Sequence, residues 1–298
     1  MKLDELPRFL RTLESLPRPF DAQSILYDSI FRSGYLHFGF WPTEGDAQSD
    51  LQRLLDDVRR AQVRFADELL AHLPPGRHRV LDVGAGFGRL ASDLTMAGHA
   101  VTAVTPCAHQ ANEISARHPR VATIRGRLEE AGPALPAGGF DVIIFSESFR
   151  YVRLPSALAI VDRLLARDGQ VIIGDWFARE TAASRPAGRG HDHVESVFRE
   201  AIAASGLAVI AERNVTDNVL HTVKLAHDVL CELYLPLLGF AFATLAQKRP
   251  RLFRLLLRVW RQWFEPSVLD HLPGLADPAA FTARYRYLFV VLGRRPDC

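Results

Sequence analysis

The chain has 298 residues, enough for one large domain with a well buried core or for a domain carrying a sizeable insertion. Hydrophobic residues make up 48% and charged residues 23%, with a formal net charge of only +2, which argues against general disorder and against a broad nucleic-acid surface. The three cysteines, Cys107, Cys231 and Cys298, are far apart and odd in number, so neither a disulfide framework nor a Cys-x-x-Cys site is expected.

The first twenty residues mix acids and bases and lack the continuous apolar run of a signal peptide, so a cytoplasmic location is expected. Residues 1–75 read as an N-terminal helical cap with an aromatic loop. Within it, Asp50 to Leu73 carries Leu51, Leu54, Leu55, Val58, Val63, Phe65 and Leu69 at roughly helical spacing, after the loop YLHFGFWPTEG. From residue 78 short apolar runs alternate with helix-length segments: RVLDVG, AVTAVT, RVATIRG, FDVIIFS and GQVIIGDWF. That texture predicts a parallel sheet in an α/β fold. A helix over HVESVFREAIAASG, expected to end on Gly206 as its C-cap, leads to a sixth run, GLAVIAERNV. The seventh, YRYLFVVLG, comes at 285–293, so residues 218–283 read as a helical insertion between the last two strands. The main domain is then 76–217 together with 284–298.

The strongest chemical signal is VLDVGAGFGRL at residues 80–90, where Asp82, Gly84, Gly86 and Gly88 fall between the first strand and the following helix. Glycines there let the backbone turn sharply and approach a ligand closely. A dinucleotide loop would place its third glycine at Arg89, which it does not. A carboxylate two residues before the first glycine can orient the loop and face an ammonium group.

This stretch closely resembles the first motif of class I S-adenosylmethionine (SAM)-dependent methyltransferases, and the element order from 78 to 293 is similar to that fold too. The resemblance implies a Rossmann-like seven-stranded α/β sheet in the order 3-2-1-4-5-7-6, with N-terminal helices and the helical insertion between strands 6 and 7. It implies SAM as cofactor, S-adenosylhomocysteine (SAH) as product and an EC 2.1.1 activity. Asp82, Gly84, Ala85, Gly86, Gly88 and Ser146 become cofactor contacts, and no metal is expected.

In most of that family an acid ends the second strand and holds the ribose; here the strand ends in Thr105 and Pro106. Thr105, Cys107 and Gln110 resemble the Thr-x-Ser-x-x-Gln of a subset that includes the cyclopropane, mycolic acid and tocopherol methyltransferases. A hydroxyl and an amide can serve a ribose without burying an unpaired carboxylate. After the third strand Arg127 replaces the usual adenine-binding Asp, so Arg127 and Leu128 are expected to meet adenine through backbone and apolar packing, and Glu129 is either a substitute acceptor or a helix-start acid. In the aromatic loop the resemblance implies Tyr35 as a cofactor contact, with Trp41 as a pocket wall.

Methyl transfer is an in-line displacement, so alignment and water exclusion matter more than a dedicated base. Candidates for catalysis are Glu147 and Tyr151 after the fourth strand, His191 and His193 in GRGHDHVE, and His37; Arg150 and Trp176 are expected nearby. The HDH sequence lacks a third metal ligand, and a substrate loop is the better reading. Cyclopropane synthases carry a Glu where this chain has Arg150, which disfavours cyclopropanation.

In the insertion, residues 229–246 contain a single charge, Glu232, and read as a lid over a greasy pocket rather than a membrane span. Arg251, Arg254, Arg258 and Arg261 then fall on one helical face, an arc of roughly 80°. Solvated arginines on a lid, peripheral contact with an anionic inner membrane face, and a homodimer interface all remain open. The expected acceptor is a hydrophobic small molecule: a lipid, isoprenoid or natural-product intermediate. Methylation coupled to cyclisation, or a non-catalytic SAM-binding, membrane-associated protein, stays open as well.

Overall fold

The computed structural model of the protein describes residues 34, 35, 37, 39, 40, 51–180, 193–229, 249, 251, 252, 254, 255 and 277–295. Among them one sheet contains β1 (Arg79–Val83), β2 (Ala100–Thr105), β3 (Ala122–Arg125), β4 (Phe140–Ser146), β5 (Leu165–Ala178), β6 (Leu207–Asn214) and β7 (Tyr285–Arg294), in the order β3-β2-β1-β4-β5-β7-β6. β1 to β5 run parallel, and β7 inserts antiparallel between β5 and β6. This is the expected order. The helices are α1 (Leu51–Leu70), α2 (Arg89–Met96), α3 (Ala108–Arg117), α4 (Leu128–Ala131), α5 (Leu154–Leu164), α6 (Glu195–Ala203), α7 (Thr216–Asp228) and α8 (Pro278–Arg284).

Side chains that alternate along a strand divide the core into two layers. Leu81, Val83, Ile143, Phe145, Val171 and Ile173 pack with α5 and α6 on one face. Val80, Val142, Ile144 and Ile172 pack on the other with Phe65 and Leu69 of α1, Leu90 and Leu94 of α2, and Val219 and Val223 of α7. Asp82 shares the second face with Val80 by the same alternation, which is why it is 1% exposed.

Three local expectations change. β5 begins at Leu165, four residues before the GQVII run, because Phe140 of β4 pairs with Leu165 before the register shifts. Helix α6 ends at Ala203 and leaves through Ala204 in the right-handed conformation, so Gly206 is not its cap; a Cβ at Gly206 would lie 3.3 Å from Asp162 Oδ1. The first helix after β6 belongs to the core rather than to a separate lid, since Val219 and Val223 are buried and Thr216 Oγ1 accepts a hydrogen bond from Tyr287 N at 2.9 Å. Within the insertion, Arg251 and Arg254 are helical and exposed, and so are Leu252 and Leu255, at 46% and 55%. Trp41, His191, Arg258, Arg261 and residues 230–246 lie outside the described residues. No described helix is long and apolar enough to cross a membrane.

Gly88 closes the loop that follows β1. It adopts φ 78° at the N-cap of α2, and a Cβ there would stand 2.8 Å from Ile114 Cγ1 of α3. Both the left-handed backbone and the contact penalise a side chain. Gly88→Ala should therefore lower stability by about 2–4 kcal/mol, seen in urea unfolding as a lower midpoint at unchanged slope.

Candidate functional site

A cleft of about 250 Å³ opens at the carboxyl ends of β1, β2 and β4. Its floor is the turn after β1. The Val104 carbonyl accepts from Gly84 N at 2.8 Å and from Ala85 N at 3.1 Å, pulling the chain across the end of β2. Gly84 and Gly86 have φ of 77° and 56°, and a Cβ on Gly84 would lie 2.4 Å from Ser148 Cβ. Ser148 is held there because its hydroxyl donates to the Val83 carbonyl. Gly84, Ala85 and Gly86 line the cleft, whereas Gly88 does not: its glycine is required by the α2–α3 packing.

Asp82 stands under this turn with Oδ2 buried and unpartnered among the described residues. Burial alone pushes its carboxyl up to about 7. An acid in that condition takes either a proton or a cation.

On the β2 side, Thr105 is fully buried and its hydroxyl donates to Gln110 Oε1 at 2.6 Å. That bond fixes the Gln110 amide at the cleft wall and leaves its N–H groups for a ligand. The two residues thus do not stand side by side as equivalent donors; Thr105 orients Gln110. Pro106 lines the same wall. Arg127 and Leu128 do not reach the cleft lining, because the Leu128 side chain is in the core and Arg127 is exposed. Glu129 accepts from Arg153 N at 3.2 Å, and its neighbour Glu130 closes a capping box with Arg127 N at 3.0 Å. Glu129 is therefore tied to the start of α5.

On the β4 side, Ser146, Glu147, Arg150 and Tyr151 line the cleft. Arg150 Nη1 meets Asp175 Oδ1 at 2.7 Å, Arg150 N donates to Asp175 Oδ2 at 3.0 Å, and the guanidinium lies 3.6 Å from the centre of the Trp176 ring. Burial opposes its charge, but Asp175 and Glu147 outweigh burial and hold the pKa above the ordinary arginine value. Tyr151 is 57% exposed and its hydroxyl accepts from Arg150 Nη2 at 3.0 Å.

The N-terminal segment covers the opening with Gly34, Tyr35 and His37. Tyr35 is buried and donates to Asp93 Oδ2 at 2.7 Å, so its ring rather than its hydroxyl serves the cleft. The His37 ring packs 4.2 Å from Phe65, and its carbonyl accepts from Gln62 Nε2 at 3.0 Å. Gly39 N donates to Thr222 Oγ1 at 3.1 Å, tying the segment to α7. His193 lies outside the lining, with Nε2 3.2 Å from the Phe149 carbonyl and its ring against Phe149. Among the described residues no group of acids, histidines or cysteines is arranged to hold a metal.

Sequence reasoning missed Ser148, Asp175 and Tyr287. Ser148 could have been suspected from its place beside Glu147, whereas Asp175 and Tyr287 reach the site only through strand pairing of β5 with β7.

Residues 81–173 match a family model described as a methyltransferase domain. Uncharacterized methyltransferases of Mycobacterium bovis and Mycobacterium tuberculosis are 30% identical over 99 residues, which is 33% of this chain; the chain spans about 40% of the length of these curated relatives. Among solved structures, a geranyl diphosphate C-methyltransferase from Streptomyces coelicolor, in complex with Mg2+, a substrate analogue and SAH, aligns with a TM-score of 0.66 at 15% identity, covering 97% of each chain. The [4+2]-cyclase SpnF aligns at 0.60 and 18% identity, over 95% of this chain and 99% of its own. Residues 81–173 thus resemble a methyltransferase domain, and the chain shares the Rossmann-like fold of these solved structures.

The Asp82 carboxyl has a pKa near 7 when folded against an unfolded value of 3.8, so the folded protein holds the proton more tightly. The contribution of Asp82 to the stability of the ligand-free protein should be full below pH 4, fall as the pH rises to about 7, then level off. Asp82→Asn should abolish that fall, which is on the order of 4 kcal/mol at most. Thermal unfolding of both proteins from pH 5 to 8 checks this; parallel curves would return Asp82 to an ordinary partnered acid.

Proposed function

We propose that this protein is a SAM-dependent methyltransferase acting on a hydrophobic small molecule. The reading rests above all on one observation: a glycine turn with no room for a Cβ at Gly84 lies over a buried carboxylate whose Oδ2 has no partner among the described residues. A ligand that presses against backbone and brings a cation suits that arrangement, and the donor set fits SAM. Gln110, held by Thr105, binds the ribose; Asp82 faces the ammonium; Gly84, Ala85 and Gly86 permit close approach, with Ser146 and the Tyr35 ring walling the methionine end. Pro106 borders the adenine, while Arg127 and Leu128, outside the lining, stay adenine contacts on the family likeness alone.

Bound SAM supplies an electrophilic methyl carbon on a sulfonium. The chain's task is to align an acceptor and exclude water. Tyr151, His37 and Arg150 form the acceptor side, with Asp175 and Trp176 holding the Arg150 guanidinium; the aromatic faces suit apolar substrate and the ion pair presents little net charge. Glu147 and Tyr151 are the groups placed to accept a proton there, and His37 is the third. Trp41 and His191 are carried as further candidates on sequence grounds alone. A lipid, isoprenoid or natural-product acceptor agrees with this lining and with the exposed leucines beside Arg251 and Arg254. The insertion then serves as a lid that can meet an anionic membrane face through Arg251, Arg254, Arg258 and Arg261.

Calorimetric titration should give micromolar binding of SAM and SAH. Gln110→Ala should weaken both by about 1–2 kcal/mol, the value of a buried hydrogen bond, and Thr105→Val should weaken them by less. A folded protein that binds neither ligand would rule the reading out. Incubation with methyl-labelled SAM and a whole-cell lipid extract should yield a labelled apolar product.

A further inference from the structure

We infer that Tyr287 and Glu147 form a charge filter at the donor site: Tyr287 holds the Glu147 carboxylate against the sulfonium, so that the charged donor binds more tightly than the uncharged product. This rests on the methyltransferase reading above.

Glu147 is the one non-glycine residue with positive φ among the described residues, at 52°. A side chain in that conformation is strained and persists only where its surroundings enforce it. Two bonds enforce it here. Glu147 N donates to the Gly174 carbonyl at 2.7 Å, and Tyr287 Oη donates to Glu147 Oε1 at 2.6 Å, across 140 positions of chain. The enforced turn leaves a carboxylate that is 8% exposed in the cleft wall.

Tyr287 is built for this task. It is fully buried in β7, wedged edge-on against Phe65 at 5.8 Å and beside Trp176 at 6.2 Å, and its backbone N is tied to Thr216. Burial, then the charges of Glu147 and Asp175, keep its phenol protonated and therefore a donor. Tyr287 has no surface in the cleft, so it acts through Glu147 and is a positioning residue.

The sheet order assigns the carboxylate its target. Gln110 marks the ribose end at β2, and Asp82 lies under the turn of β1. Glu147 follows β4, one strand further towards β5, where Tyr151 and Arg150, held against Trp176, form the acceptor side. A donor extended from β2 must aim its methyl at that side. Its ammonium then falls to Asp82 and its sulfonium to Glu147. Arg150 attracts Glu147 as well, but its single charge is already met by Asp175 at 2.7 Å, so the Glu147 carboxylate is left in excess among the described residues.

The test is calorimetric binding of three ligands: SAM, SAH and an analogue with a protonated amine in place of the sulfonium. Wild type should bind both cations more tightly than SAH. Glu147→Gln should raise the Kd of both cations about tenfold and leave that of SAH within twofold; Tyr287→Phe should do the same in smaller measure, about three- to fivefold. Retained SAH binding shows that the variants fold. Equal weakening of all three ligands would mean that Glu147 faces the ammonium or only supports the fold, and unchanged affinities would mean that it touches no ligand; either result overturns the filter. Failure of the wild type to bind any of the three would instead overturn the methyltransferase reading itself.

Discussion

The cleft exists because the chain turns after Val83 in a space too small for a side chain. Two amides, on Gly84 and Ala85, converge on the Val104 carbonyl, while Ser148 presses from the β4 side with its hydroxyl on the Val83 carbonyl. The turn is thus clamped between its two neighbouring strands. Any Cβ at Gly84 would drive β4 away from β1, and the floor, the buried acid beneath it and the wall that follows β4 would all move. Backbone geometry at this one residue sets the geometry of the whole site.

Around that turn the molecule buries ionisable groups that a pure core would reject. Arg150 and Asp175 satisfy each other at 2.7 Å, with the Arg150 guanidinium over the Trp176 ring, a neutral pair behind one wall. Glu147 is tethered by a phenol, and among the described residues Asp82 is left with an unpartnered oxygen. Among those residues the site therefore carries carboxylate in excess over paired cation. Such an excess weakens the empty protein, and a cationic ligand relieves it. Stability is given up where binding will restore it.

The sheet was legible because each strand is a short, continuous apolar run with a boundary residue at its end. AVTAVT and FDVIIFS coincide with β2 and β4, and the strand order followed from the family likeness rather than from the runs themselves. Gly206 misled because a glycine after a helical stretch looks like a cap, yet here the helix ends at Ala203 and leaves through Ala204 in the right-handed conformation. Thr105 and Gln110 were legible as a pair, but their division of labour was not: which of two polar groups faces a ligand depends on whether they bond each other first.

By itself the sequence determined the α/β architecture, the glycine turn and the missing acid after β2, since these are encoded in local runs and in residues a few positions apart. Only the tertiary structure decided what the polar residues do. It set Asp175 behind Arg150, turned His193 onto the Phe149 carbonyl and gave Glu147 the Tyr287 phenol from 140 positions away. The physical reason is that a hydrogen bond or a desolvated charge is decided by neighbours within about 3 Å, and in a sheet where β7 pairs with β5 those neighbours are remote in the chain.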